Sequence, residues 1–383
     1  MCLLHTRFLL ILAIACAPGI VPAAAQEHET LGAVDLDITL PLDKLAAQLE
    51  TKRVVFVGET HNRYGDHLNQ LEIIRRLHEL DSNLVIGVEY FQQPFQSKVD
   101  DYISGRITEY EFLRDTGYFQ NWGYDYRLYA SICRFAREQR IPVRALNVPG
   151  ALPSAVAKVG FAGLSEAQRA YLPKEIRPAD QAYRKRLREA FEEHGPANPG
   201  AFDRFVEAQL VWDEGMAQSA AEYLNANPER RMVILAGSGH LAFGSGIPKR
   251  LERRTHATYA TVLNSGVEMA PHVADYILLS EQQDLPPAGT LGVSLEDKGG
   301  ECRVKALVPG GAAAKAGLRR GDVLVEIDGQ KVAAAAAVHL ALWDKRPGDR
   351  VHLSFRRKHR FGAVAIRSVE VELTAPANAP SES

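Results

Sequence analysis

Cysteine is scarce in this chain, with four in 383 residues, and Cys2 and Cys16 both lie near its start. The other two, Cys133 and Cys302, are widely separated and stand in regions of different texture. That spacing argues against a disulfide framework and predicts two buried free thiols. A surplus of charge of either sign is also missing. With 45 Lys and Arg against 47 Asp and Glu the net charge is −2, which points away from nucleic acid and from an anionic membrane surface as partners. After the first 25 residues no apolar run is long enough to span a bilayer. There is no His-Glu-x-x-His helix, so any metal site must be assembled from separate strands. There is no Gly-x-Ser-x-Gly elbow either, which weakens a serine hydrolase assignment.

What is present is apolar content of 46%, enough for a sizeable core in two or three domains. Residues 1–25 predict a secretory signal peptide: basic Arg7, the apolar stretch Phe8 to Ala15, and small residues ending at Ala23-Ala24-Ala25. Lipid attachment at Cys16, after Leu12-Ala13-Ile14-Ala15, is a competing expectation. Either route places the mature protein in the periplasm or on a membrane of the cell envelope.

The stretch that organises the chain is Val54 to His61, Val-Val-Phe-Val-Gly-Glu-Thr-His. A β-branched and aromatic run of this length predicts a strand buried on both faces and ended by Gly58. Asp66 is expected to cap a following helix whose Leu68, Leu71, Ile74 and Leu77 recur at helical spacing. A second strand, Leu84 to Val88, ends on Glu89. Strand, helix, strand in this order predicts parallel pairing in one sheet. Val143 to Leu146 ends on Asn147, and Met232 to Ala236 delivers Gly237-Ser238-Gly239-His240. Tyr259 to Leu263 and Tyr276 to Leu279 are further strands. Between them residues 151–227 predict a long helical excursion, clearest at Phe202 to Leu224.

The expected fold is therefore α/β, a mostly parallel central sheet flanked by helices with a long helical insertion, over residues 31–280. A linker at 281–288 leads to a small β-rich domain at 289–374 and a frayed tail at 375–383. Its expected strands are Thr290 to Leu295, Cys302 to Leu307, Val323 to Ile327 and Val351 to Phe355, with a helix around Ala333 to Trp343.

Strand ends in open α/β sheets face the ligand crevice. They carry Glu59, His61, Glu89, Asn147 and His240, the candidate catalytic set. Carboxylates and imidazoles suit acid/base chemistry, and His61, His240 and Glu59 suit a divalent metal. Gly237-Ser238-Gly239-His240-Leu241-Ala242 fits a dinucleotide pattern formally, but it comes late and continues as a loop. The aromatic window Tyr118 to Tyr129 predicts either core packing or a pocket for a flat apolar cofactor. In the second case Tyr126 or Tyr129 supplies a phenolate to ferric iron. On one helix face Gln209 and Asp213 point at the site or at solvent.

Taken in order, Gly58-Glu59-Thr60-His61, Gly87-Val88-Glu89-Tyr90-Phe91, Asn147-Val148-Pro149, Gln209 to Ala217 and Gly237-Ser238-Gly239-His240 to Pro248 resemble the ChaN-like haem-binding uptake family of the Tiki superfamily. The resemblance implies an exported bacterial protein, often a lipoprotein, that binds haem through a tyrosine in a dimeric arrangement and serves iron uptake. It also implies relatives that are metal-dependent proteases or esterases, in which His61 and His240 would be the central histidines.

Thr290-Leu291-Gly292-Val293, with Ala316-Gly317-Leu318 and Gly321-Asp322-Val323-Leu324, resembles a PDZ domain. That implies a peptide or protein partner held at Leu291, Gly292 and Val293, or an intramolecular docking role. The loop departs from the usual Gly-Leu-Gly-Phe form.

Overall fold

Alternation of side chains along the first strand decides the architecture. In the computed structural model, which describes residues 39–192, 200–267, 269–279, 282–358 and 364–376, Val54–Glu59 forms β1, buried throughout. Val55 and Val57 enter one apolar core, and Val54 and Phe56 enter another on the opposite face. The same division holds along β2 (Leu84–Gln92), where Leu84, Ile86 and Val88 face the first core and Val85 the second. With β3 (Val143–Asn147), β4 (Arg231–Gly237), β5 (Tyr259–Asn264) and β6 (Tyr276–Leu278) they make a sheet of order β3-β2-β4-β1-β5-β6. Every pairing in it is parallel. All six strands therefore end at the same edge, which is what a site built from strand ends requires.

Helix α1 (Tyr64–Leu80) lies on the first face with Leu71, Ile74 and Leu77 buried, while Leu68 is only half-buried. Helix α2 (Ala201–Ala226) packs Met216, Ala217, Ala220, Ala221 and Leu224 on the second face beside Ile247 and Leu251 of α3 (Ile247–Thr255). Small residues let α2 approach closely. A Cβ at Gly215 would lie 2.2 Å from Val148 Cγ1.

The C-terminal region is an antiparallel sheet of order β12-β11-β9-β8-β7 with β10 paired to β9. Its strands are β7 (Val293–Lys298), β8 (Glu301–Leu307), β9 (Val323–Ile327), β10 (Gln330–Lys331), β11 (Arg350–Lys358) and β12 (Val364–Glu372), with helix α4 (Ala335–Leu342). It has its own core around Cys302, Leu324, Leu353 and Phe355. The chain from Leu42 onward clusters as one unit, and Leu340 and Trp343 of the second region pack against the first core.

Several details differ from expectation. Strand β2 runs on past Val88, so Glu89 lies within it. Helix α1 begins at Tyr64, with Arg63 at its cap position; Asp66 sits in the first turn and is turned inward. Strand β7 starts three residues after Thr290, which makes only an isolated bridge to Thr374. The long strand β12 was not expected. Cys133 and Cys302 are buried and free. Cys2, Cys16, the leader at residues 1–25 and most of the tail, 377–383, lie outside the described residues. No helix among the described residues is long and apolar enough to cross a membrane.

Candidate functional site

The turn after β1 is fixed from several sides. Asp66 Oδ2 accepts from the Thr60 N–H at 2.8 Å, Asn264 Nδ2 donates to the Gly58 carbonyl at 2.7 Å, and Gln70 Nε2 donates to the Val57 carbonyl at 3.0 Å. His67 Nε2 meets the His61 carbonyl at 3.1 Å. This backing places Glu59 Oε1 at 2.7 Å from His61 Nδ1. An ionised carboxylate can only accept, so the proton of that bond sits on Nδ1.

A second imidazole–carboxylate pair forms at the end of β4. His240 Nδ1 is 2.7 Å from Asp213 Oδ1, and the Tyr183 hydroxyl donates to Asp213 Oδ2 at 2.6 Å. On its other side His240 Nε2 lies 3.4 Å from Glu89 Oε1, while Glu89 Oε2 accepts the Gly237 N–H at 2.7 Å. The two pairs meet at Gly237, where a Cβ would stand 2.9 Å from His61 Cε1 and 3.7 Å from Glu89 Oε2.

Electrostatics follow from this packing. Burial opposes a charged His240 more than any other single effect, but Glu89 and the bond to Asp213 outweigh it and lift the imidazole to about 9. His61 is also raised: burial again opposes, and the Glu59 bond, its charge and Glu89 prevail. At neutral pH His240 is therefore a cation between carboxylates, and Glu89 acts on both rings.

Of the five strand-end candidates, Glu59, His61, Glu89 and His240 converge. Asn147 ends the outermost strand of the same sheet edge, its Oδ1 buried without a hydrogen-bond partner. Glu59 Oε2 is likewise buried without a hydrogen-bond partner, with His67 Nε2 at 3.8 Å. Among the described residues no group of three or more His, Cys, Asp or Glu is arranged to hold a metal ion, so the proposed His61, His240 and Glu59 set is not assembled as one. The Nδ1 atoms of both histidines are committed to carboxylates, Glu59 to one and Asp213 to the other.

The tyrosines turn out differently. Tyr126 is fully buried, and its hydroxyl donates to Glu109 Oε1 at 2.9 Å. Tyr129 is also fully buried; its oxygen accepts from Trp122 Nε1 at 3.1 Å. Burial first, then neighbouring acidic groups, pushes both phenols well above their ordinary range. Both expected cofactor-binding tyrosines, Tyr126 and Tyr129, thus have their phenol oxygens hydrogen-bonded inside the core. Tyr124 differs from them: it is 37% exposed, and its ring centroid is 4.7 Å from that of His61. Its sequence signal was its place after Gly123 and out of helical step with the buried pair. Tyr183 was the other unassigned member, and of the two alternatives for Asp213, site or solvent, the structure shows it buried against His240.

Tyr124 and Trp122 border a cleft of about 820 Å³ that Leu291, Gly292 and Val293 also line. Gly292 has φ +66°, and a Cβ there would meet Gly311 Cα at 3.3 Å, so the tight loop favours glycine on both counts.

Comparison with known proteins agrees with this layout. A family model described as "Haem-binding uptake, Tiki superfamily, ChaN" matches residues 45–251, and a PDZ domain model matches residues 289–367. A solved structure titled "Cofacial heme binding to ChaN of Campylobacter jejuni" is 17% identical with a TM-score of 0.51, covering 62% of this chain and 91% of that one. An erythromycin esterase mutant, EreC, in its open conformation is 16% identical over 59% of this chain and 74% of that one, TM-score 0.38. A serine endoprotease from Yersinia pestis is 22% identical over 24% of this chain and 30% of that one, TM-score 0.20. The last two likenesses are too slight to bear on chemistry. No curated protein sequence matches. With its strand-end cluster, its six-stranded parallel sheet and a match over more than half its length, the chain belongs to the ChaN family of haem-binding uptake proteins in the Tiki superfamily and carries a C-terminal PDZ domain.

Proposed function

We propose that this protein is an exported haem-binding protein of the bacterial cell envelope, serving haem or iron handling, with a PDZ domain that holds a peptide or protein partner. Export is inferred from the apolar leader pattern at residues 1–25. The observation that carries haem binding is the exposed Tyr124 on the wall of the cleft. The residues fit the group: a cleft of about 820 Å³, aromatic walls from Phe119 and Trp122, and a phenol oxygen as hard donor. Tyr124 and Trp122 would hold the porphyrin, and haem supplies its iron as the centre to be carried. Burial, then Glu59 and Glu89, raises the Tyr124 phenol, so ionisation there depends on the ferric ion's own charge.

Titration with ferric haem tests this. The expected result is a bound Soret band in the wild type, with binding at least about tenfold weaker and an altered spectrum in Tyr124→Phe. A wild type with no bound band overturns the proposal.

A second function, hydrolysis of a peptide or ester, is favoured by the two imidazole–carboxylate pairs joined through Glu89. His61 backed by Glu59 has the make-up of a general base, and cationic His240 that of a general acid. Peptide and ester turnover, assayed with and without divalent metals, decides it. Activity that survives in both His61→Ala and His240→Ala removes this reading.

A further inference from the structure

The aromatic wall of the first domain and the edge of the second border one and the same cleft. Val293 and Leu295 of β7, and Val338 and His339 of α4, line it together with Trp122 and Tyr124. Strand β7 is the last of its sheet, so among the described residues one side of it pairs with no other strand. An unpaired strand edge beside an apolar groove accepts an extended chain. At the near end of β7 the Leu291 and Gly292 carbonyls are taken by the N–H groups of Ala313 and Val308, both at 2.8 Å. What this loop offers the cleft is N–H, which complements a carboxylate.

The groove is aimed by how α4 is docked. Phe119 stacks on His339 at 6.1 Å, Tyr126 meets Trp343 at 5.3 Å, and the Arg134 guanidinium lies 5.6 Å over the same indole. These contacts seat α4 on the first domain, and Phe119, His339 and Trp343 themselves line the cleft beside Val338. Trp122, across from them, is itself 5.0 Å from the His61 ring. The groove therefore ends against the residues that flank the strand-end cluster.

We infer that Trp122 and Tyr124 are a wall of the peptide groove, and that an extended peptide ending in an apolar residue with a free carboxylate binds against them and excludes haem from the shared cleft. The exclusion rests on the haem proposal above; the shared wall does not. Leu291, Val293 and Trp122 make the end of the groove apolar, which selects the terminal side chain, and the loop N–H groups select the carboxylate.

The test uses the full chain and two pools of decapeptides, random except for an apolar last residue, one with free carboxylates and one amidated. The free pool is expected to be retained and the amidated pool lost. A retained peptide should bind Tyr124→Ala and Trp122→Ala about fivefold or more weakly than wild type. Tyr124 is 37% exposed, so its truncation opens no core. Haem at ten times its own dissociation constant should weaken the peptide about tenfold by competition. Equal retention of the pools, or peptide affinities within about twofold across the variants, overturns the shared wall. Haem and peptide bound together on one molecule overturn the exclusion. If haem fails to bind while both variants still weaken the peptide, the haem proposal and the exclusion fall and the shared wall stands.

Discussion

His240 is held by Asp213 at 2.7 Å on one ring nitrogen and faces Glu89 at 3.4 Å on the other. Folding thus gives this imidazole partners for both of its protons. Burial is the largest opposing effect, and the carboxylates still raise it from 6.5 to about 9. A group raised on folding stabilises most where both states are protonated. The His240 contribution is therefore complete below about pH 6.5, declines from there, and is lost above about pH 9. Its size is on the order of 3 kcal/mol. Urea unfolding at pH 6, 7.5 and 9.5 should show wild type losing its advantage over His240→Gln as pH rises. A difference that does not change with pH would contradict the assignment.

Glu214, one residue along α2 from Asp213, is fully buried among arginines. It lies 3.1 Å from Arg250 Nε, 2.6 Å from Arg254 and 3.2 Å from Arg253, and it accepts the Arg177 N–H at 3.0 Å. Replacing it by leucine strands buried guanidinium groups, at a cost of about 3–5 kcal/mol. Glu214→Leu should show this loss in urea unfolding, while Glu222→Leu, on the exposed face of the same helix, should change stability by less than about 0.5 kcal/mol.

Tyr126 offers a sharper contrast with Tyr124. Its hydroxyl shares the Glu109 carboxylate with Tyr102 at 3.2 Å and Arg134 at 2.8 Å. Tyr126→Phe should cost about 1–2 kcal/mol for the lost bond to a charged acceptor and leave the haem spectrum as in wild type. A changed Soret band in Tyr126→Phe would return the ligand role to the buried pair.

Much of this arrangement was legible beforehand, for identifiable reasons. Val-Val-Phe-Val before Gly58 encodes burial on both faces, and parallel strands place their polar ends at one edge, so Glu59, His61, Glu89 and His240 could be placed together. Asp213 was visible only as one face of a helix, because nothing local shows that α2 runs past the end of β4. Tyr126 and Tyr129 stand in helical step, which is the mark of core packing, and Tyr124 stands out of that step. Strand β12 has no apolar run to announce it, because Arg367, Glu370 and Glu372 make it an exposed, charged edge strand. No sequence pattern reports that the PDZ groove opens on Trp122, since that depends on how Trp343 seats on the other core.

Gly237 links the two halves of the site, and here only close approach demands glycine. Its φ of −56° is open to any residue. A Cβ, however, would lie 2.9 Å from His61 Cε1 and 3.3 Å from Nε2, inside van der Waals contact. The His61 side chain keeps 26% exposure and can swing outward, so Gly237→Ala should break the Glu59–His61 bond and leave the sheet intact. The bond and charge of Glu59 are what raise His61 against burial. Its titration, followed by NMR of labelled histidine, should therefore fall back toward 6.5, with a stability change below about 1 kcal/mol. Gly239→Ala is the control, because a Cβ there meets nothing within 4 Å. An unchanged His61 titration in Gly237→Ala, or an equal shift in Gly239→Ala, would show that the strand end does not position the ring.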